Sequence, residues 1–375
     1  MNKLRLSMSV LGNDEIHAVT RVMREDGYLG MGNEVREFEK EIADYLGVSP
    51  NWVICVNSGT AALHLAVQAT TDPGEEVLVP SLTYISSFQS ISASNAVPVP
   101  CEVNIETGTI SVDDAKDRIT NKSKVIMPVH YASNPEGIEN VYSFAKSKGL
   151  RVIEDAAHAF GCSYHGKKVG SFGDIICFSF DGIKNITSGE GGCVVTSDNK
   201  VAEYIRDARL LGIKKDTDNR FKGKRSWDFD ATHQGYRYHM SNLFAAIGRA
   251  QLKKLDLVFG PKRKKIAKLY RDELTDVAGL SFFHTNLDEQ IPHIQPVRIT
   301  NGKKDLVIQT LTNNDIETGI HYKPNHLLSL YSNAKRNKLP ITEKLYSEIL
   351  TLPLHPNLEN QDIIKISNLI KKVLI

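Results

Sequence analysis

Apolar positions recur every three or four residues in two stretches near the start of the chain, and then the rhythm changes. In DEIHAVTRVMRED (14–26) Ile16, Val19 and Met23 fall on one stripe. In EVREFEKEIADYLG (34–47) Val35, Phe38, Ile42 and Leu46 do the same, so both segments predict amphipathic helices. From residue 52 onward, short apolar runs alternate with helical patterns. WVICVNS is followed by TAALHLAVQA, EEVLVPS by TYISSFQSISAS, and KVIMPVH by a helical run over 142–148. RVIEDA, IICFSF and GGCVVTS then read as further short strands. That alternation predicts an α/β layer built on a mostly parallel sheet. The pattern breaks over 211–230 into LGIKKDTDNRFKGKRSWDFD, a polar and basic stretch that reads as a long loop. A long helix pair follows over 241–279, and a smaller α+β segment runs to the end. We expect a large unit over 1–255, N-terminal helices included, and a small one over 256–375.

Composition narrows the classes. A chain of 375 residues, 41% hydrophobic and 24% charged, is long enough for a large core and ordinary for a globular protein. With 46 basic against 44 acidic residues, the overall charge suggests neither a nucleic acid nor an anionic membrane as partner. No segment reaches a membrane-spanning apolar length, and no signal peptide is read, so the cytoplasm is expected. The five cysteines (55, 101, 162, 177 and 193) lack metal-type spacing and read as small buried hydrophobes of a reducing compartment. No metal site is expected.

Several motifs carry chemistry. GYLGMGNEV (27–35) imitates a dinucleotide fingerprint but has Val35 where the third glycine belongs and no strand before it; no P-loop is present. NSGTAAL (57–63) joins a strand to a helix, where free N–H groups attract a phosphate, although plain capping by Ser58 or Thr60 would explain the same residues. VIEDAAHAFG (152–161) ends a strand with Glu154 and Asp155, one on each face by alternation. FSFDGIKNITSGEGG (178–192) sets Lys184 between a buried strand and a glycine-rich turn, a costly place for a lysine without chemistry or a partner. Together these offer amides and hydroxyls for a phosphate, an aromatic in Tyr84, a carboxylate for a ring nitrogen and an amine for a Schiff base. That is the set pyridoxal 5′-phosphate (PLP) requires.

The ordered segments SGTAALHLAV, PSLTYISS, MPVHYA, VIEDAAHAFG, FSFDGIKNITSGEGGCVVT, AAIGRAQL, GIHYKP and LPLHPNL resemble the DegT/DnrJ/EryC1/StrS family of PLP-dependent nucleotide-sugar aminotransferases over nearly the whole chain. The resemblance implies the fold type I, aspartate-aminotransferase-like architecture. It implies Lys184 as the Schiff-base lysine and proton carrier, and Asp155 on the pyridinium nitrogen. Tyr84 would stack on the ring, and His158 would contact its 3′-oxygen. Gly59, Thr60 and Ser179 would hold the phosphate, with Arg237 a further candidate standing where the family commonly has Asn. His321, Tyr322 and Gly30 would face the substrate. The implied reaction moves an amino group from an amino acid, usually L-glutamate, to a nucleotide-diphosphate-linked 4-keto-6-deoxysugar for polysaccharide or glycoconjugate synthesis. The implied assembly is a homodimer with shared active sites. The alternatives are a sugar dehydratase, which in this family carries histidine in place of the lysine, and a catalytically silent regulatory protein. The lysine argues against the first, and the intact Asp155, Ser179 and Lys184 set against the second. The loop cations Lys214, Lys215, Arg220, Lys222, Lys224 and Arg225 are candidates for the diphosphate, though a solvated loop explains most of them.

Overall fold

The computed structural model describes residues 3–225, 227–332 and 338–374; Ile375, the last residue of the expected small unit, lies outside them. Strands β1 (Val53–Val56), β2 (Glu76–Pro80), β3 (Val97–Cys101), β4 (Ser123–Ile126) and β5 (Arg151–Asp155) precede a short hairpin, β6 (Ser163–Tyr164) and β7 (Lys167–Lys168). β8 (Ile175–Ser179) and β9 (Gly192–Thr196) complete the central region. Among the described residues, these strands form a seven-stranded sheet of order β1-β9-β8-β5-β4-β2-β3. β9 alone runs against the rest, pairing antiparallel with both β1 and β8. The other pairs are parallel, so the sheet is mixed and mostly parallel, as the α/β alternation predicts.

Alternate residues of the central strands feed two cores. Val53, Cys55, Ile176, Phe178, Cys193 and Val195 face one side, with Phe38, Ile42 and Phe160. Ile54, Val56, Ile175, Cys177 and Val194 face the other, with Leu65 and Phe88. Burial on both faces is why these strands read as continuous apolar runs. All five cysteines are free and buried, as small hydrophobes.

β3 escaped the sequence reading. Its Pro98 and Pro100 cannot donate to a ladder, which argues against a central strand, and the strand lies at the sheet edge, where proline is tolerated. The stretch over 211–230 is not all loop: Asp216–Phe221 forms a helix with Asp216 and Thr217 buried, closed by an Asp216–Arg220 ion pair at 3.0 Å.

The second helix behaves as predicted: α2 (Asn33–Leu46) buries Val35, Phe38, Ile42 and Leu46. The first does not. α1 (Asn13–Arg21), prolonged by a wider turn over Val22–Asp26, leaves Ile16 and Met23 each 60% exposed. It docks through the opposite edge, where Val22 is buried and the Glu15 carboxylate accepts bonds from Gln251 Nε2 (2.8 Å) and Lys254 Nζ (2.7 Å).

Further along, β10 (Leu280–Phe282), β11 (Gln295–Ile299) and β12 (Ile349–Leu352) make an antiparallel three-stranded sheet. Ile266, Tyr270, Val307, Leu311, Ile363 and Ile370 from its helices share one core with Val297 and Leu350. Residue Leu4 bridges Ile316, so the start of the chain is tied to this later region.

Candidate active site

The site gathers at the carboxyl ends of β1, β2, β5 and β8, the edge where open α/β sheets bind ligands. After β1 the chain turns into α3 (Gly59–Gln68), and the Ser58 hydroxyl accepts the Ala61 N–H at 3.1 Å. The capping reading of this turn is therefore correct for Ser58. A second feature goes beyond capping. A Cβ on residue 59 would lie 2.7 Å from the Ser179 Cβ, so only glycine lets the end of β8 meet the start of α3. Ser179, Gly59 and the exposed Thr60 thus converge on the amino end of a helix, where unpaired N–H groups and the dipole favour an anion.

Asp155 ends β5 and is buried. Its Oδ2 accepts the Ser87 hydroxyl at 2.7 Å, and Ser87 is held in turn by Thr83 Oγ1 at 2.8 Å. Its Oδ1 receives a longer bond, 3.3 Å, from the Ala157 N–H. Burial raises the carboxyl above its ordinary range, while the Ser87 bond and the charge of Lys184 oppose that rise. Glu154 points to the other face, to His130 and Tyr142, as the alternation of side chains requires.

Lys184 is half-buried in the loop between β8 and β9. Burial lowers its amine to about 8, with Arg263 adding to the effect and Asp181 and Asp155 opposing it. A lysine so tuned exchanges protons near neutrality, as a Schiff-base or shuttle lysine must. Its Nζ lies 3.4 Å from His293 Nε2. The His293 ring packs against that of His158, centroids 4.5 Å apart. His158 Nε2 is 3.0 Å from the Tyr322 hydroxyl, and its Nδ1 is buried without a partner. The Tyr322 ring stands 5.7 Å from that of Tyr84, which is 57% exposed and presents an open aromatic face. His321 contacts Thr351 Oγ1 at 3.0 Å, and burial and Lys184 together push it down to about 4.

The structure thus draws Asp155, His158, Lys184, His321, Tyr322 and Tyr84 into one group, with Gly59, Thr60 and Ser179 at the helix start. Among the described residues, Arg237 and Gly30 make no hydrogen bond or ring contact with that group. Arg237 is exposed, and its carbonyl accepts from Asn57 Nδ2 at 3.4 Å. The Gly30 carbonyl accepts the Asn242 N–H at 2.9 Å. No cluster of three or more metal-ligating side chains occurs among the described residues.

This arrangement has a counterpart in known proteins. Residues 9–371 match the model of the DegT/DnrJ/EryC1/StrS aminotransferase family. The chain belongs to that family. It is 33% identical to the dTDP-4-dehydro-2,3,6-trideoxy-D-glucose 4-aminotransferase of Saccharopolyspora spinosa, over 96% of this chain and 94% of that one. It is 37% identical to the GDP-perosamine synthase of Escherichia coli O157:H7, over 89% and 88%. The PLP-form structure of Streptococcus pneumoniae Spr1654 superposes with a TM-score of 0.90 at 26% identity, covering 99% and 98% of the two chains. The chain is an aminotransferase of the α/β fold these relatives share.

Three site residues of this family member were missed in the sequence. Ser87 had a signal, since it lies one helical turn after Tyr84 within TYISS. His293 had none, being a lone histidine in QIPHIQP, and Arg263 was hidden in the run PKRKK. Arg263 is buried, and its guanidinium reaches the carbonyls of Lys184 (3.4 Å) and His293 (3.2 Å), so it ties the lysine loop to the later region.

Proposed function

We propose that this aminotransferase uses pyridoxal 5′-phosphate to transfer an amino group from L-glutamate to a nucleotide-linked 4-keto-6-deoxysugar in the cytoplasm. Several observations support the cofactor. The contact of Ser179 with Gly59 makes a cradle that any larger residue would fill. The orphaned Nδ1 of His158 and the under-bonded Oδ1 of Asp155 are buried polar atoms with capacity to spare. When bound, the cofactor carries the amino group and serves as the electron sink. The chain's own residues then have distinct tasks. Gly59, Thr60 and Ser179 bind the phosphate, and Tyr84 covers the ring. Asp155 holds a proton on the ring nitrogen, and His158 orients the ring through its oxygen. Lys184 carries a proton between substrate carbon and amine, which its value of about 8 suits.

The observation that carries the reading is this lysine, held near neutrality at the same strand ends as the buried Asp155. For the sugar, the support is the activity that the Saccharopolyspora relative is named for and the place of His321 and Tyr322 beside the group. The five buried free cysteines suit the reducing cytoplasm. We also propose a homodimer with shared sites, supported by the exposed apolar stripe of α1 and by Arg237, which is exposed in its own chain. Light scattering tests the dimer, and a monomer across the working concentration range would remove it.

Visible absorbance of the chain with PLP, before and after L-glutamate, tests the reaction. A band that depends on Lys184 and fades with glutamate is expected. A band indifferent to glutamate would replace the donor or point to dehydratase chemistry, and no band would overturn the cofactor.

A further inference from the structure

We propose that His293 is the positioning residue for Lys184: its Nε2 accepts a hydrogen bond from the lysine amine and holds that amine in place whenever it is free of a carbonyl. The proposal rests on the function of Lys184 stated above. The two nitrogens are 3.4 Å apart. The backbone fixes His293 on both sides, its N–H donating to Ser133 Oγ at 3.0 Å and its carbonyl accepting from Arg263 at 3.2 Å. The buried ring needs neither bond. It is aimed at Lys184 on one side, it packs on His158, and its Nδ1 has no partner. A ring kept only for packing would be better served by an apolar side chain, because a buried imidazole with an orphaned nitrogen costs free energy.

The surrounding charges explain why a histidine suits this task. Asp155 and Asp181 favour the charged lysine, and Arg263 opposes it. His158, His321, Arg263 and Lys184 all face His293, and burial with Lys184 holds the imidazole well below its ordinary value. Such a ring accepts a hydrogen bond without taking the proton, so Lys184 remains the proton carrier. A carboxylate in its place would trap the lysine as ammonium, and a leucine would leave the freed amine without an acceptor.

The test reads Lys184 itself and contains no cofactor. The full-length chain is freed of bound carbonyl compounds with hydroxylamine and dialysed. Acetylation by acetic anhydride is then followed at the Lys184 peptide by mass spectrometry across pH, with a midpoint of about 8 expected for the parent. His293→Leu removes the acceptor and destabilises the ammonium form, so its midpoint should fall by about one pH unit, a tenfold gain in free amine below the midpoint. His293→Gln, which still offers an acceptor at similar reach, should restore most of the shift. Should His293→Leu fail to fold, His293→Asn, too short to reach, must shift as the leucine would. An unchanged midpoint in His293→Leu or His293→Asn, or an equal fall in His293→Gln, would overturn the proposal. Failure of the PLP reading shows instead in the absorbance experiment, which this titration does not involve.

Discussion

On one face of β5 the carboxyl of Glu154 meets His130 Nε2 at 2.7 Å and the Tyr142 hydroxyl at 2.6 Å, and no part of it reaches solvent. On the other face Asp155, the next residue, takes one short bond, from Ser87 at 2.7 Å, and a long one from the Ala157 N–H. Both carboxyls are buried at the end of the same strand. The first has partners for each oxygen, and even the backbone makes room for them. A Cβ on Gly173 would lie 2.4 Å from Glu154 Oε1, and the φ of +101° there suits only glycine. The second has only the long Ala157 bond on Oδ1, and the charge of Lys184 acts on it. A buried charge saturated by its own chain serves the fold, whereas one left unsaturated is available to a ligand. The contrast favours Asp155 as the site's acid more directly than burial does.

Asp155→Asn should produce the largest effect. On the proposed function, in which Asp155 would hold a proton on the cofactor's ring nitrogen, losing its charge should lower kcat/KM on the order of a thousandfold. Its sign on stability should be opposite. A carboxyl raised by burial contributes stability in its protonated form, which is fully present below the unfolded value, lost as pH rises from there through the folded value, and absent above it. In the cofactor-free protein at pH 7 the asparagine variant should therefore melt higher than the parent. A variant that is both inactive and less stable would erase the distinction between the two faces.

Glu154→Ala comes next and should do the reverse. It leaves the Tyr142 O–H without an acceptor, though the oxygen still accepts the Asp174 N–H, and strips His130 Nε2 of its carboxylate in the interior, a loss of about 3 kcal/mol in urea unfolding. Activity per folded molecule should stay within about a factor of 3 of the parent, the scale of half a hydrogen bond. A specific activity as low as that of Asp155→Asn would place Glu154 in the chemistry.

Ser87→Ala sharpens the comparison from the site side. The Ser87 bond opposes the upward effect of burial on Asp155, so its loss should move that carboxyl still higher. Activity that needs the ionised form would then fade at higher pH on acidification. The acid limb of the pH–rate profile should shift upward, with about a tenfold loss in rate at pH values below the limb. An unmoved limb would mean that another group sets it.

How much of this was legible follows from what periodicity can and cannot see. Strand alternation put Glu154 and Asp155 on opposite faces, and apolar runs located six of the seven large-sheet strands; β3 was obscured by Pro98 and Pro100. The stripe of α2 reports burial correctly because its partner surface belongs to the same chain. The stripe of α1 is equally clear in sequence, yet Ile16 and Met23 are exposed. An apolar stripe states that a helix has a face to cover, not what covers it. The candidates Lys184, Ser179 and Asp155 stand out in the sequence because strand-end motifs surround them. His293 and Arg263 reach the lysine loop from a later region, through contacts spanning 109 and 79 residues that no local pattern encodes.

Tyr142→Phe should give the smallest effect and tests the saturated face alone. The Tyr142 hydroxyl donates to Glu154 Oε1 at 2.6 Å and accepts the Asp174 N–H at 2.7 Å. Burial and the neighbouring Glu154 push its ionisation well above the ordinary tyrosine range, so it remains a donor at every pH at which the protein is handled. Removing it leaves one carboxyl oxygen and one amide short of a partner, while His130 still meets the other oxygen. The expected cost is about 1–2 kcal/mol in urea unfolding, smaller than for Glu154→Ala because the acid keeps one of its two contacts. The acid limb that Ser87→Ala displaces should not move. If Tyr142→Phe displaced it, the two faces of β5 would be electrostatically coupled, and Glu154 would have to be counted among the groups that tune Asp155.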